Sequence, residues 1–268
     1  TETVTRMSLE ERVRPVLYIN KIDRLIKELR LTPEKMQEKL ANVVSAFNTL
    51  IDTYAEPEYR DKWKVSIQDG SVTFGSAKDK WGFNLDIMKE KGISFKDVFA
   101  AYTDDGNVDD LAEKVPLAEA ILGMVVKHHP PPHEAQKYRV PKIWKGDLDS
   151  DIGKAILNCD DNGPAVMMIV NMQMDPAAGP VAIGRLFAGT LKDGQSVHLI
   201  DTHREGRIQS VNFFMGNQRE MVGELSAGNI PALLGLGEAR AGQTLSTIKD
   251  IAVFEGIKYV SEPVVQIV

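Results

Sequence analysis

Cysteine is nearly absent: Cys159 is the single thiol in 268 residues. One cysteine excludes an internal disulfide and a thiolate metal cage, and it points to a reducing compartment, the cytoplasm. No apolar run approaches the ~20 residues of a membrane-spanning helix, so no membrane partner is expected. The opening stretch TETVTRMSLEERVR is too charged for a secretion signal. Positive charge is in short supply as well. With 32 basic against 38 acidic residues the net charge is −6, which argues against broad electrostatic binding to nucleic acid but leaves room for a local basic face. Internal repeats and low-complexity tracts are lacking. The chain starts at Thr1 without a methionine and stops in the apolar stretch PVVQIV, so both ends read as cut from something longer.

What is present suits two packed domains. The length and a hydrophobic fraction of 43% allow two cores. In the first half, helix and strand patterns alternate. TETVTRMSLEERV reads as a helix closed by Pro15. Val16–Ile19 is a continuous apolar run, the pattern of a strand covered on both faces in a parallel sheet. Thr32-Pro33-Glu34 offers a capping hydroxyl, a proline at the first helical position and an acid in the first turn. Met36, Leu40, Val43, Val44, Phe47, Leu50, Ile51 and Tyr54 then recur at three- and four-residue steps, as on an amphipathic helix. SVTFGSAK, Ser71–Lys78, reads as a second strand ending in small residues. Helices are expected over Phe95–Tyr102 and Pro116–Lys127. The second carries Leu117, Ile121, Met124 and Val125 on one face and is stopped by Pro130, Pro131 and Pro132.

Residues from about His133 to Asp151 lack a pattern and read as a connecting segment laid over the surface. Near Cys159–Gly163 the texture changes to short runs rich in Val, Ile, Phe and Leu, separated by turns such as KDGQ and SAGN. Strands at this spacing predict an antiparallel barrel or sandwich. The expected division is residues 1–158, α/β with a closing linker from about 133, then 159–268, all-β and running into the start of a following domain.

Ligands of doubly wound α/β sheets sit beyond the carboxyl ends of the strands. Two polar segments fall there: Asn20, Lys21 and Asp23 of NKID after the first strand, and Ser76, Ala77 and Lys78 after the second. Their chemistry suits guanine. The Asp23 carboxylate can accept from N1–H and from the exocyclic amino group, donors that adenine lacks on that edge. The Asn20 amide can bond the other edge and tie the two loops together. The stem of Lys21 can lie along the base face while its ammonium stays wet. A small residue at Ala77 lets its backbone N–H approach the guanine O6. The bland alternative is an ordinary polar turn at a strand end.

YINKID, then GSAK, then GRLFAGTLKDGQSV (Gly184–Val197) occur in that order, with HHPPPHEAQKYR between them and VGELSAGNIPALLGL and ARAGQTLS after them. This ordered set resembles archaeal-type translation elongation factor 2, a family of translational GTPases, over essentially the whole chain. The resemblance implies the C-terminal part of a P-loop GTPase-like, doubly wound G domain followed by a β-barrel second domain. It implies a ribosome-dependent GTP hydrolase that promotes translocation of tRNA and mRNA, uses GTP or GDP with Mg²⁺, and docks on the ribosome. Asn20, Lys21 and Asp23 would be its base-specificity loop, and Ser76, Ala77 and Lys78 its second guanine-contacting loop.

One departure from the family is decisive. No GxxxxGK[ST] phosphate loop occurs, and IGKA at Ile152–Ala155 is the nearest approach. DKWG at Asp79 and DDNG at Asp160 match DxxG but follow the guanine loop, whereas in the family that motif precedes it. No catalytic residue is therefore expected in this chain, no metal ligand, and no hydrolysis by the chain alone. An open edge on the partial sheet would favour a dimer. The competing function class is a non-catalytic ribosome- or protein-binding module with a degenerate nucleotide pocket.

Other clusters read as structural. His128, His129 and His133 lack an acid or thiolate spaced to close a metal site. TDDGNVDD (Thr103–Asp110) lacks the spacing of a calcium loop. Cys159 reads as a structural thiol. Arg204, Arg207, Arg219, Lys192 and Lys249 could form a basic patch for ribosomal RNA or an ordinary solvated surface. Gly184, Gly189 and Gly194 suit turns and close strand approach better than phosphate binding.

Overall fold

The computed structural model describes residues 1–103, 106–216 and 218–256. The acidic stretch around residues 104–105 and the terminal PVVQIV, expected to open a following domain, lie outside the described residues. The chain forms two compact units, residues 1–129 and 130–268.

In the first unit α1 (Glu2–Glu10) leads to β1 (Leu17–Ile19), then α2 (Ile22–Lys27) and α3 (Pro33–Tyr54). Thr32 Oγ1 caps α3 by accepting from Lys35 N–H, with Pro33 at the first turn, as the sequence predicts. Its buried stripe is Met36, Leu40, Phe47 and Ile51, while Val43 is exposed. A short α4 (Arg60–Trp63) precedes β2 (Val72–Ser76) and β3 (Trp81–Phe83). Then follow α5 (Leu85–Lys91), α6 (Phe95–Ala101), α7 (Val108–Lys114) and α8 (Leu117–His128). β1 pairs with β2 in parallel, Ile19 opposite Phe74, and β2 pairs with β3 antiparallel.

Val16–Ile19 differs from expectation. β1 is only half-buried, because β2 is its one neighbour among the described residues. β2 and β3 are fully buried. Phe74, Trp81, Phe83 and Phe95 stack and tilt against one another at centroid distances of 5.3–6.3 Å. Each such ring contributes about 2–3 kcal/mol of burial free energy. α8 closes this core with Ala120 and Met124, whereas Val125 faces solvent.

The second unit begins with α9 (Pro132–Ile143) and α10 (Asp151–Asn158). Here the reading of 133–151 as a surface linker is corrected. Pro132 sits in the first turn of α9, so the prolines that end α8 also start the next helix. Gln136 and Val140 of α9 are buried, and the Gln136 amide donates to the carbonyls of Ile156 (2.5 Å) and Phe187 (2.9 Å). Val140, Trp144, Ala155 and Ile156 share one core with Val166, Phe187, Ala188 and Phe254. The compact division therefore falls at 129/130, about thirty residues before the expected boundary. The texture change at Cys159–Gly163 marks instead where helix gives way to strand within the second unit.

The strands are β4 (Val166–Asp175), β5 (Gly179–Ala188), β6 (Thr190–Lys192), β7 (Ser196–Leu199), β8 (Arg204–Arg207), β9 (Ser210–Met215), β10 (Gln218–Met221), β11 (Glu224–Ser226), β12 (Ala232–Leu234) and β13 (Thr244–Ser246). Eight form one antiparallel sheet, ordered β10-β9-β12-β5-β4-β13-β7-β8, and β6 pairs with β11. Met167, Ile169, Leu186, Leu191, Val197 and Val211, from five of these strands, meet in one dry core, which is the barrel the sequence predicts. Gly184 and Gly189 stand where strands and turns press together. A methyl group at Gly184 would lie 2.1 Å from Met168 O.

Candidate functional site

β1 ends where NKID begins. Lys21 adopts a left-handed conformation (φ 66°), which turns the chain into α2 and places Asp23 in its first turn. Asn20 Oδ1 accepts from Lys21 N–H at 2.7 Å and from Ala77 N–H at 2.9 Å, across 57 residues of sequence. Tyr18 Oη donates to the same oxygen at 3.3 Å. Burial, and then the charge of Asp23, push the Tyr18 phenol up to about 12, so it stays a donor. The tie between the two loops is thus made by one amide oxygen.

Asp23 is 7% exposed, yet no hydrogen bond or ion pair engages its carboxylate among the described residues. Its carboxylate oxygens stay open to water: among the described residues the buried side-chain polar atoms left without a partner are His128 Nε2 and Gln136 Oε1. Ser76 is fully buried, and its Oγ accepts from Asp79 N–H at 3.1 Å. Ala77 and Lys78 are exposed. The Ala77 N–H expected to reach guanine O6 is instead given to Asn20. The Arg24 guanidinium holds the Glu28 carboxyl below its ordinary range, with Lys78 and Lys21 adding to the effect.

A groove of about 390 Å³ opens beside Asn20, walled by Ile19, Leu25, Leu40 and Val43 and rimmed by Lys21 and Lys39. It does not reach Asp23 or residues 76–78. The base loops form an open shelf.

Sequence reading passed over what stands behind that shelf. Tyr102 Oη donates to Asp79 Oδ2 at 2.6 Å and accepts from Trp81 Nε1–H at 2.7 Å. Lys27 Nζ lies 4.0 Å from Asp79 Oδ2 and 4.6 Å from the centre of the Tyr102 ring. The only signal was DKWG, read as a chance match.

No phosphate loop is present in the sequence, and among the described residues no group of three His, Cys, Asp or Glu could hold a metal ion. His128 is buried with Nε2 unpartnered, and burial lowers its pKa. Cys159 caps α10 in a left-handed conformation, and burial raises its thiol pKa.

Of the two readings left open for the five basic residues, the ion pairs favour an ordinary solvated surface. Arg204 pairs with Glu238, Lys192 with Glu224, Lys249 with Glu205 and Arg219 with Asp175, at 2.5–3.1 Å. Arg207 donates to the Gly194 carbonyl. Four of the five charges are thus met by acids. Among the described residues no helix is long and apolar enough to cross a membrane.

Comparison with known proteins places these units in a class. Residues 1–131 match the family described as elongation factor Tu GTP binding domain, and residues 164–248 the family described as elongation factor G domain 2. A GTP-binding domain followed by a translation-factor barrel is the class so defined. The whole chain is 76% identical over 267 residues to elongation factor 2 of Cenarchaeum symbiosum. It is 54% identical to that of Sulfurisphaera tokodaii and 52% to that of Sulfolobus acidocaldarius, again over all of the chain. The chain belongs to the elongation factor 2 family. It spans 36–37% of the length of these relatives.

Proposed function

We propose that this chain is the guanine-reading and barrel portion of a ribosome-dependent GTP hydrolase that promotes tRNA and mRNA translocation in the cytoplasm. The observation that carries the base assignment is the Asp23 carboxylate, open to solvent and without a partner among the described residues, beside two loops that Asn20 holds together. Guanine N1–H and its amino group are the donors that match it, and adenine would leave it unpaired. Asn20 fixes loop geometry through Oδ1, which leaves Nδ2 to face the base. Lys21 covers one base face with its stem. Ser76 shapes the second loop by accepting from Asp79 N–H, and Ala77 and Lys78 border the base on that side.

The bound nucleotide would bring Mg²⁺ and phosphates, for which the sequence carries no phosphate-loop motif and the described residues no cluster of three metal ligands. GTP turnover by the purified chain should therefore not exceed the Asp23→Asn background, and turnover above it would refute the division of labour. Base binding is tested without phosphate chemistry. Millimolar GMP should shift the amide resonances of residues 20–23 and 76–78, and AMP should not. Equal responses to both, or none, would favour a binding module that uses no nucleotide.

The barrel surface, balanced in charge, suits docking on the ribosomal small subunit by shape more than by net attraction. Self-association through the open edge of β1 accompanies this reading. Size-exclusion chromatography at about 100 μM should give a dimer, and a stable monomer would remove the idea.

A further inference from the structure

Helices α5 to α7 lie between β3 and α8, and just beyond α6 the Tyr102 hydroxyl stands behind the base loops. Both hydrogen-bonding roles of that hydroxyl are filled. It donates to the Asp79 carboxylate, 14% exposed, and accepts from the Trp81 indole, so its orientation is fixed. Asp79 in turn closes the 76–79 turn through its N–H to Ser76 Oγ. Lys27 reaches the same carboxylate and the Tyr102 ring from the last turn of α2, the helix whose first turn carries Asp23. The 76–79 turn is thus fastened to the Asp79–Tyr102 pair by hydrogen bonds, and α2 meets the same pair through the half-exposed Lys27. Burial, followed by the Asp79 hydrogen bond, raises the Tyr102 pKa and keeps its proton in place.

We propose that Tyr102 is a positioning residue for base recognition, a latch by which the α5–α7 segment holds the SAK turn in place beside the NKID loop. The inference rests on the guanine reading above. It makes this segment a route by which anything that moves α6 changes the grip on the base. Tyr102 touches no ligand itself and acts through Asp79.

The test compares the chain with Tyr102→Phe, which keeps the ring over Lys27 and removes only the hydroxyl. Amide hydrogen exchange of residues 76–79 should rise about tenfold, with protection in β2 unchanged, because a charge-assisted hydrogen bond is lost. GMP affinity should fall about three- to tenfold. In the unsubstituted chain the Trp81 indole resonance should move during the GMP titration, and in the variant it should not. Unchanged exchange at 76–79 overturns the latch whatever GMP does. Loosened loops with undiminished GMP affinity overturn it too. If the unsubstituted chain does not distinguish GMP from AMP, the guanine reading fails and the positioning role falls with it. The loosened turn would then remain as a local packing effect, so the two failures are told apart. Should Tyr102→Phe not fold, Asp79→Asn, which keeps an acceptor for Tyr102 but drops the charge facing Lys27, gives the same readouts with the same expected directions.

Discussion

Asp23→Asn should exchange guanine for xanthine. The carboxylate accepts from two donors on guanine. Its amide replacement presents one acceptor and one donor, which mismatches the guanine amino group and suits the carbonyl that xanthine carries there. Sites built on buried polar pairs reject the unmatched partner strongly, so the ratio of GMP to XMP affinity should swing by on the order of a hundredfold. The swing is read by titrating both nucleotides against the amide resonances of residues 20–23. Stability should stay nearly constant, because the change is isosteric and Asp23 has no hydrogen-bond or ion-pair partner among the described residues to lose. A variant that weakens both nucleotides equally would mean that Asp23 shapes the turn and does not read the base.

The largest effect on folding is expected at Gly189, where GRLFAGTLKDG bends out of β5. Its φ of +75° is costly for any residue with a Cβ, and a methyl group there would meet Ala165 N and Cα at 2.4 Å and Gly163 O at 2.6 Å. These are backbone atoms held by pairing, so they cannot step aside. The same residue donates to Asp160 O at 2.7 Å and accepts from Ala227 N–H at 2.8 Å, so a shift of its backbone breaks two further bonds. Gly189→Ala should cost the second unit about 3–5 kcal/mol, measured by urea denaturation. Gly179→Ala separates strain from collision: its φ is +81° but nothing lies within 4 Å of the added methyl. It should cost only about 1 kcal/mol. Equal losses at the two positions would show that close approach at Gly189 is unimportant.

These contrasts explain what the sequence let one read. Local rules reported themselves well. The Thr32 cap and the change of texture at Cys159 each depend on neighbours or on one short segment, and the tie through Asn20, though it spans 57 residues, follows from two polar segments that each end a strand of one parallel pair. The α9 helix was hidden because it buries little, Gln136 and Val140, and is written in prolines and charges with a weak apolar period. β3 is three residues long, too short for alternation to show. The sequence could not choose between a basic patch and a solvated surface, because the acids that neutralise Lys192, Arg204 and Arg219 lie 32–44 residues away in sequence. Asp79 and Tyr102 meet only through the packed sheet, and no spacing rule links them.

The buried Gln136 amide has a consequence in time. Its two acceptors, the carbonyls of Ile156 and Phe187, lie 20 and 51 residues further along the chain. During synthesis the N-terminal helix of the second unit therefore emerges long before its second acceptor exists, and burying it early would leave a polar group without a mate. That helix must wait, wet and loosely held, until β5 has been made. The second unit gains its cooperativity late, when a single side chain closes helix, helix and strand in one step.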